Sequence, residues 1–115
     1  MYQEKIQQTL TTEGIKKPTL IQKATYEPIL NGASVIALAK TGTGKTLAYA
    51  LPALERTKIG MKNSVVIIAP TTELAVQIRH AINPYIHALG LKGISLVGAW
   101  LLISRSEERF SRNAE

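Results

Sequence analysis

Ala39-Lys40-Thr41-Gly42-Thr43-Gly44-Lys45-Thr46 is a glycine-punctuated turn ending in Gly-Lys-Thr, a pattern suited to holding an anion. Gly42 and Gly44 can take backbone conformations closed to other residues, so successive amides can point inward at an anion. A helix beginning near Gly44 would aim its free N–H groups and the positive end of its dipole at the same anion. Lys45 would add a full positive charge for the outer phosphates, and Thr46 a hydroxyl for a magnesium ion. The spacing is that of a phosphate-binding loop, with one departure: Ala39 stands at the usual first glycine. The apolar run Val35-Ile36-Ala37-Leu38 precedes the loop and Leu47 to Leu54 follows it, as a strand–loop–helix unit requires.

Two further segments carry polar groups at informative places. In Pro18-Thr19-Leu20-Ile21-Gln22, a glutamine lies at a helix start, where its amide can either stay solvated or read an adenine edge bidentately. Pro70-Thr71-Thr72-Glu73-Leu74-Ala75 follows the apolar run Ser64 to Ala69. Its threonines suit helix capping, with Glu73 favourable near a helix N-terminus. The same hydroxyls and helix-start amides also suit a nucleic-acid phosphate, and capping does not exclude that contact.

These residues need elements to hold them. Ile6 and Leu10 share a face of a helix over residues 2–12, which Gly14 stops. Thr19 caps a helix over 20–30, with Ile21, Ala24 and Pro28 expected on its inner side and Asn31-Gly32 at its end. Residues 34–39 form an apolar run without alternation, the pattern of a strand buried on both faces. A helix over 45–56 is apolar nearly all round and should be central, with Pro52 bending it. Residues 64–69 give a second, β-branched strand. Leu74, Ile78, Ile82, Tyr85, Ile86 and Leu89 form one stripe of a long helix, with a kink expected near Asn83 at Pro84 and a stop at Gly90. Residues 93–98 give a third strand. Strand and helix in alternation predict an α/β fold with a parallel sheet.

Composition narrows the partners. The 115 residues are 45% hydrophobic, carry a net charge of +6 and contain no cysteine. Disulfides and thiolate metal sites are excluded, and a cytoplasmic setting is expected. The longest apolar run, Leu47 to Leu54, is far short of a membrane span. Arg105, Arg109 and Arg112 are balanced by Glu107, Glu108 and Glu115, so the basic surplus belongs to the body of the chain. It favours polyanions such as nucleic acid. All eight acidic residues are glutamates. The aspartate with which many phosphate-loop NTPases hold magnesium is absent from the chain.

The ordered set Gly14…Pro18-Thr19-Leu20-Ile21-Gln22, Ala39 to Thr46, and Pro70-Thr71-Thr72-Glu73-Leu74-Ala75…Gln77 resembles the amino-terminal part of a DEAD-box RNA helicase. Ala39, odd for a generic phosphate loop, is what that family uses. The resemblance covers residues 1–98. It implies a partial P-loop NTPase (RecA-like) three-layer fold with a parallel sheet, and ATP and Mg2+ as cofactors. Gln22 would select adenine. Ala39, Lys40, Thr41, Gly42, Thr43, Gly44, Lys45 and Thr46 would hold the phosphates, with Thr46 on magnesium. Pro70, Thr71, Glu73 and Gly98 would lie along an RNA backbone gripped by phosphate and sugar, with little sequence preference.

Departures accompany the resemblance. Thr72 stands where the family has arginine, Ile15 where an aromatic is common, and Gly98-Ala99 where it has a glycine pair. No Asp-Glu-Ala-Asp, no Ser-Ala-Thr and no second RecA-like domain follow. Residues 99–115 are therefore expected to be a divergent tail, the product of a premature end or a frameshift. The catalytic set is incomplete: Lys45 offers a phosphate contact only. The chain is expected to bind ATP and RNA without hydrolysis or unwinding, and to self-associate through exposed sheet edges. A small phosphotransferase on the same loop, a non-enzymatic RNA- or partner-binding module, and a gene remnant are the alternative readings.

Overall fold

A computed structural model describes residues 1–40, 44–58 and 65–96. Within them the chain forms four helices: α1 (Glu4–Thr12), α2 (Leu20–Leu30), α3 (Lys45–Lys58) and α4 (Thr72–Ala88). Each lies within a few residues of its expected position, because the local signals are strong. Thr19 and Gln22 form a reciprocal capping box at the start of α2, and the Thr71 hydroxyl accepts the Leu74 amide at the start of α4. Gly90, with φ of 71°, follows the Leu89 cap of α4 in a left-handed conformation that side-chained residues resist. Pro28, Pro52 and Pro84 all sit inside helices that continue past them. No helix among the described residues is long and apolar enough to cross a membrane.

Helix α3 is the centre, as its nearly uniform apolarity predicts. It packs against α2 on one side and α4 on another, while α1 closes on α4. The core joins Ile6 and Leu10 of α1, Leu47, Ala50, Leu51 and Leu54 of α3, and Ile78, Ile82, Tyr85 and Ile86 of α4. Leu74, expected on the α4 stripe, lies one turn too early and is exposed.

The parallel-sheet expectation is not met, and with it fails the partial P-loop NTPase (RecA-like) three-layer architecture: among the described residues there is no strand and no ladder. The segments 33–40, 65–69 and 91–96 are neither helix nor strand. Their apolar β-branched composition fits a pleated surface, yet a strand exists only where a neighbour takes its amide and carbonyl groups. The second segment keeps the two-residue period of a strand. Ile67 and Ala69 pack on the helical core, while Val66 and Ile68 face outward. In the first segment Ile36 and Leu38 are 93% and 91% exposed.

The face of α2 is a second correction. Ala24 is exposed, and the buried residues are Gln22, Thr25 and Tyr26. The inner side of α2 is polar because it meets carbonyl and carboxylate oxygens of α3 rather than apolar side chains. Truncating the centre of the core tests the helical assembly. Leu51→Ala, at a fully buried site, should lower unfolding stability by about 2–5 kcal/mol in urea titration followed by circular dichroism.

Candidate functional site

The sequence of α2 fixes where Gln22 points. At the third helical position its backbone N–H donates to Thr19 Oγ1 at 3.3 Å, and its Oε1 accepts the Thr19 amide at 3.0 Å. That clamp leaves Nε2 aimed across to α3, where it donates to the carbonyl oxygen of Gly44 at 3.2 Å. Gln22 is only 3% exposed. The structure thus brings together Gln22 and the residue that opens α3, directly before Lys45 and Thr46. One Nε2 hydrogen and one Oε1 lone pair remain for another partner.

Gly44 has φ of 82°, and a Cβ there would stand 2.4 Å from Gln22 Nε2. Glycine is required here for both backbone and space. Lys45 is exposed at the first position of α3, and Thr46 is half-buried beside it. The Thr46 hydroxyl reaches the Tyr49 phenol one turn on; burial raises the Tyr49 pKa, and the Thr46 contact opposes that rise. Ala39 and Lys40 line an open cleft of about 530 Å3 with Leu38 and the first turn of α2, Thr19, Leu20, Ile21 and Ala24. Thr41, Gly42 and Thr43 lie outside the described residues, as do Gly98 and the segment 99–115.

Pro70, Thr71, Thr72 and Glu73 are exposed at the start of α4. Thr71 Oγ1 accepts from Leu74 N at 3.1 Å, so Thr71 rather than Thr72 is the cap. A hydroxyl that accepts still has its own proton to donate outward. Among the described residues no group of three His, Cys, Asp or Glu could hold a metal ion. The Thr46 hydroxyl is an oxygen donor, the ligand type that hard cations such as magnesium take.

Behind the loop lies a buried cluster that the motifs did not announce. Glu55 of α3 is 4% exposed. The Gln3 amide donates to Oε2 at 2.7 Å, and the Tyr26 hydroxyl of α2 donates to Oε1. Such donors are what permit a carboxylate to be buried. Tyr2 meets Tyr26 edge-on, with ring centroids 5.1 Å apart. Burial, then the nearby Glu55 and Tyr85, push the Tyr2 phenol up to about 12, and burial with the Glu55 hydrogen bond raises Tyr26 as well. The hydroxyls of Tyr2 and Tyr85 are buried without partners. One signal for this cluster was present in the sequence: Glu55 is the sole acidic residue of α3 and directly follows the apolar run Leu47 to Leu54.

A model of the DEAD/DEAH box helicase family matches residues 19–112. The chain is 45% identical over 94 residues to the probable ATP-dependent RNA helicase YfmL of Bacillus subtilis, covering 81% of this chain and 25% of that one. It is 43% identical over 94 residues to the DEAD-box ATP-dependent RNA helicase CshC of Bacillus cereus, covering 81% and 24%. It is 38% identical over 105 residues to the ATP-dependent RNA helicase DBP10 of Candida albicans, covering 90% and 11%. The chain thus spans a quarter or less of the length of these relatives.

Two substitutions and a pH series check the geometry. Gly44→Ala forces both a left-handed alanine and a clash with Gln22, whereas Gly14→Ala, at φ of 83° with nothing within 4 Å, meets the backbone term alone. Gly14→Ala should cost about 1–2 kcal/mol, and Gly44→Ala clearly more, in urea unfolding. The neutral form of Tyr2 is the one the fold favours. Its stabilisation is present below the ordinary phenol value of 10.0 and is lost as pH rises through about 12. Tyr2→Phe should reduce that alkaline loss, with Tyr26 supplying the remainder, and should be no less stable at neutral pH.

Proposed function

The chain belongs to the DEAD/DEAH box helicase family, and from this premise we propose that it binds an adenine nucleotide with magnesium at the start of α3 and an RNA backbone at the start of α4. The observation that carries the nucleotide reading is the hydrogen bond from Gln22 Nε2 to the carbonyl of Gly44. It joins the glutamine segment to the loop residue next to Lys45.

In this reading Ala39 to Thr46 form the phosphate loop, and Gln22 offers its remaining amide hydrogen and lone pair to adenine. Lys45 places its ammonium on the outer phosphates, and the α3 amides face the same charge. Magnesium, when bound, neutralises charge on the phosphate oxygens, and Thr46 holds it from the protein side. A chain without aspartate lacks the carboxylate that would complete the metal site and the water-orienting neighbour that goes with it. We therefore assign binding, not hydrolysis or unwinding, to this chain by itself. ATP-dependent RNA helicase is what the longer relatives are named. RNA phosphates would accept hydrogen bonds from the Thr71 hydroxyl and from backbone amides of Thr71–Glu73, with Pro70 and Gly98 added by the resemblance alone. Binding is assigned to residues 1–98, with 99–115 a divergent tail, in a cytoplasmic setting that suits a chain without cysteine.

The exposed apolar residues Ile36, Leu38, Val66 and Ile68 favour self-association of the chain. Gel filtration should show a concentration-dependent assembly that Ile36→Lys with Ile68→Lys reduces. Calorimetric titration with Mg–ADP should give heat that Lys45→Ala weakens at least about tenfold. Absence of heat from the unaltered chain would overturn the nucleotide reading, and a steady ATPase rate dependent on Lys45 would overturn the assignment of binding alone. RNA retention should fall steeply between two salt concentrations and be indifferent to sequence.

A further inference from the structure

Pro52 leaves a specific gap in α3. A helical residue ordinarily donates its N–H to the carbonyl four residues back, and proline has none to give. The carbonyl deprived of that donor belongs to Ala48, which is 2% exposed and beyond the reach of water. Pro28 and Pro84 deprive Ala24 and His80 in the same way, but both of those residues are exposed, where water can serve. Only at Ala48 does the fold have to find a donor of its own.

It finds one on α2. The Thr25 hydroxyl lies 2.6 Å from the Ala48 oxygen, against 3.0 Å and 3.4 Å to the carbonyls of Ile21 and Gln22 on its own helix. A hydroxyl has one proton, and the closest acceptor is also the one whose i+4 donor is missing. Thr25 is 3% exposed, so the pair is sealed.

Gln22 and Thr25 are three apart on one face of α2 and reach two carbonyls, Gly44 and Ala48, one turn apart on α3. The Ala48 amide in turn donates to the Gly44 carbonyl at 3.0 Å. The first turn of α3, which carries Lys45 and Thr46, is thus held from α2 at both ends. We infer that Thr25 is a positioning residue for the nucleotide site: its hydroxyl replaces the amide missing at Pro52 and fixes the helix turn that presents Lys45 and Thr46. As far as affinity is concerned, this rests on the nucleotide reading above.

Thr25→Val keeps the shape and removes the hydroxyl, while Thr25→Ser keeps the hydroxyl and removes the methyl. Pro52→Ala restores the amide. Two readouts apply to the full chain: hydrogen exchange of the amides in the first two turns of α3, and Mg–ADP affinity. Thr25→Val should speed that exchange and weaken Mg–ADP by about tenfold each, and Thr25→Ser should stay within about twofold of the unaltered chain. Adding Pro52→Ala to Thr25→Val should recover most of both losses, a non-additivity expected only if the two residues serve one carbonyl. If Thr25→Val alone does not fold, a folded Thr25→Val/Pro52→Ala chain supports the inference and an unfolded one overturns it. Thr25 acting through bulk would give the opposite order, with valine tolerated and serine impaired, and that result overturns it too. Absence of Mg–ADP heat from the unaltered chain sinks the nucleotide reading, and the exchange measurements then decide the role of Thr25 alone.

Discussion

The buried polar seam between α2 and α3 is the interaction on which the arrangement of this chain depends. Gln22, Thr25 and Glu55 are the buried polar or charged side chains among the described residues, and all three lie in that seam or bond across it. Each is a liability by itself, because a buried polar group without a partner is expensive. Paired, they admit one register: Gln22 on Gly44, Thr25 on Ala48, Tyr26 on Glu55. An apolar seam would tolerate sliding by a turn; this one would leave several oxygens unpaired if it slid. That is how a short helix with an exposed Leu20 and an exposed Ala24 comes to hold its neighbour at a defined place.

The contrast lies in the apolar segments on either side of the loop. Residues 33–40 and 65–69 have strand composition, and Ile36 and Leu38 are among the most exposed hydrophobic side chains described. Helices close their own hydrogen bonds and so form wherever a sequence has caps and one apolar face. Strands do not, and composition cannot supply a neighbour. Ile67 and Ala69 still find the helical core, which shows that burial by itself orders the inward side of such a segment without a ladder. The exposed side remains as surface that a soluble monomer ordinarily avoids.

Local signals in the sequence settle the four helices, the caps of α2 and α4 and the central place of α3. Those signals include Thr19 and Thr71 at helix starts, Gly90 at an end, and the spacing of Ile78, Ile82, Tyr85 and Ile86. The ordered motifs around Gln22, Lys45 and Thr71 also sufficed to place the chain in its family, since motif order survives whatever the local packing does. Tertiary structure decided what those signals cannot reach. It turned the polar face of α2 inward, because the acceptors it meets are contributed by α3 more than twenty residues away. It left the three apolar segments without a sheet, because pairing is a property of two segments and not of one. And it gave Thr25, unremarkable in the sequence, the carbonyl that Pro52 leaves open, because only folding brings a donor to a buried oxygen.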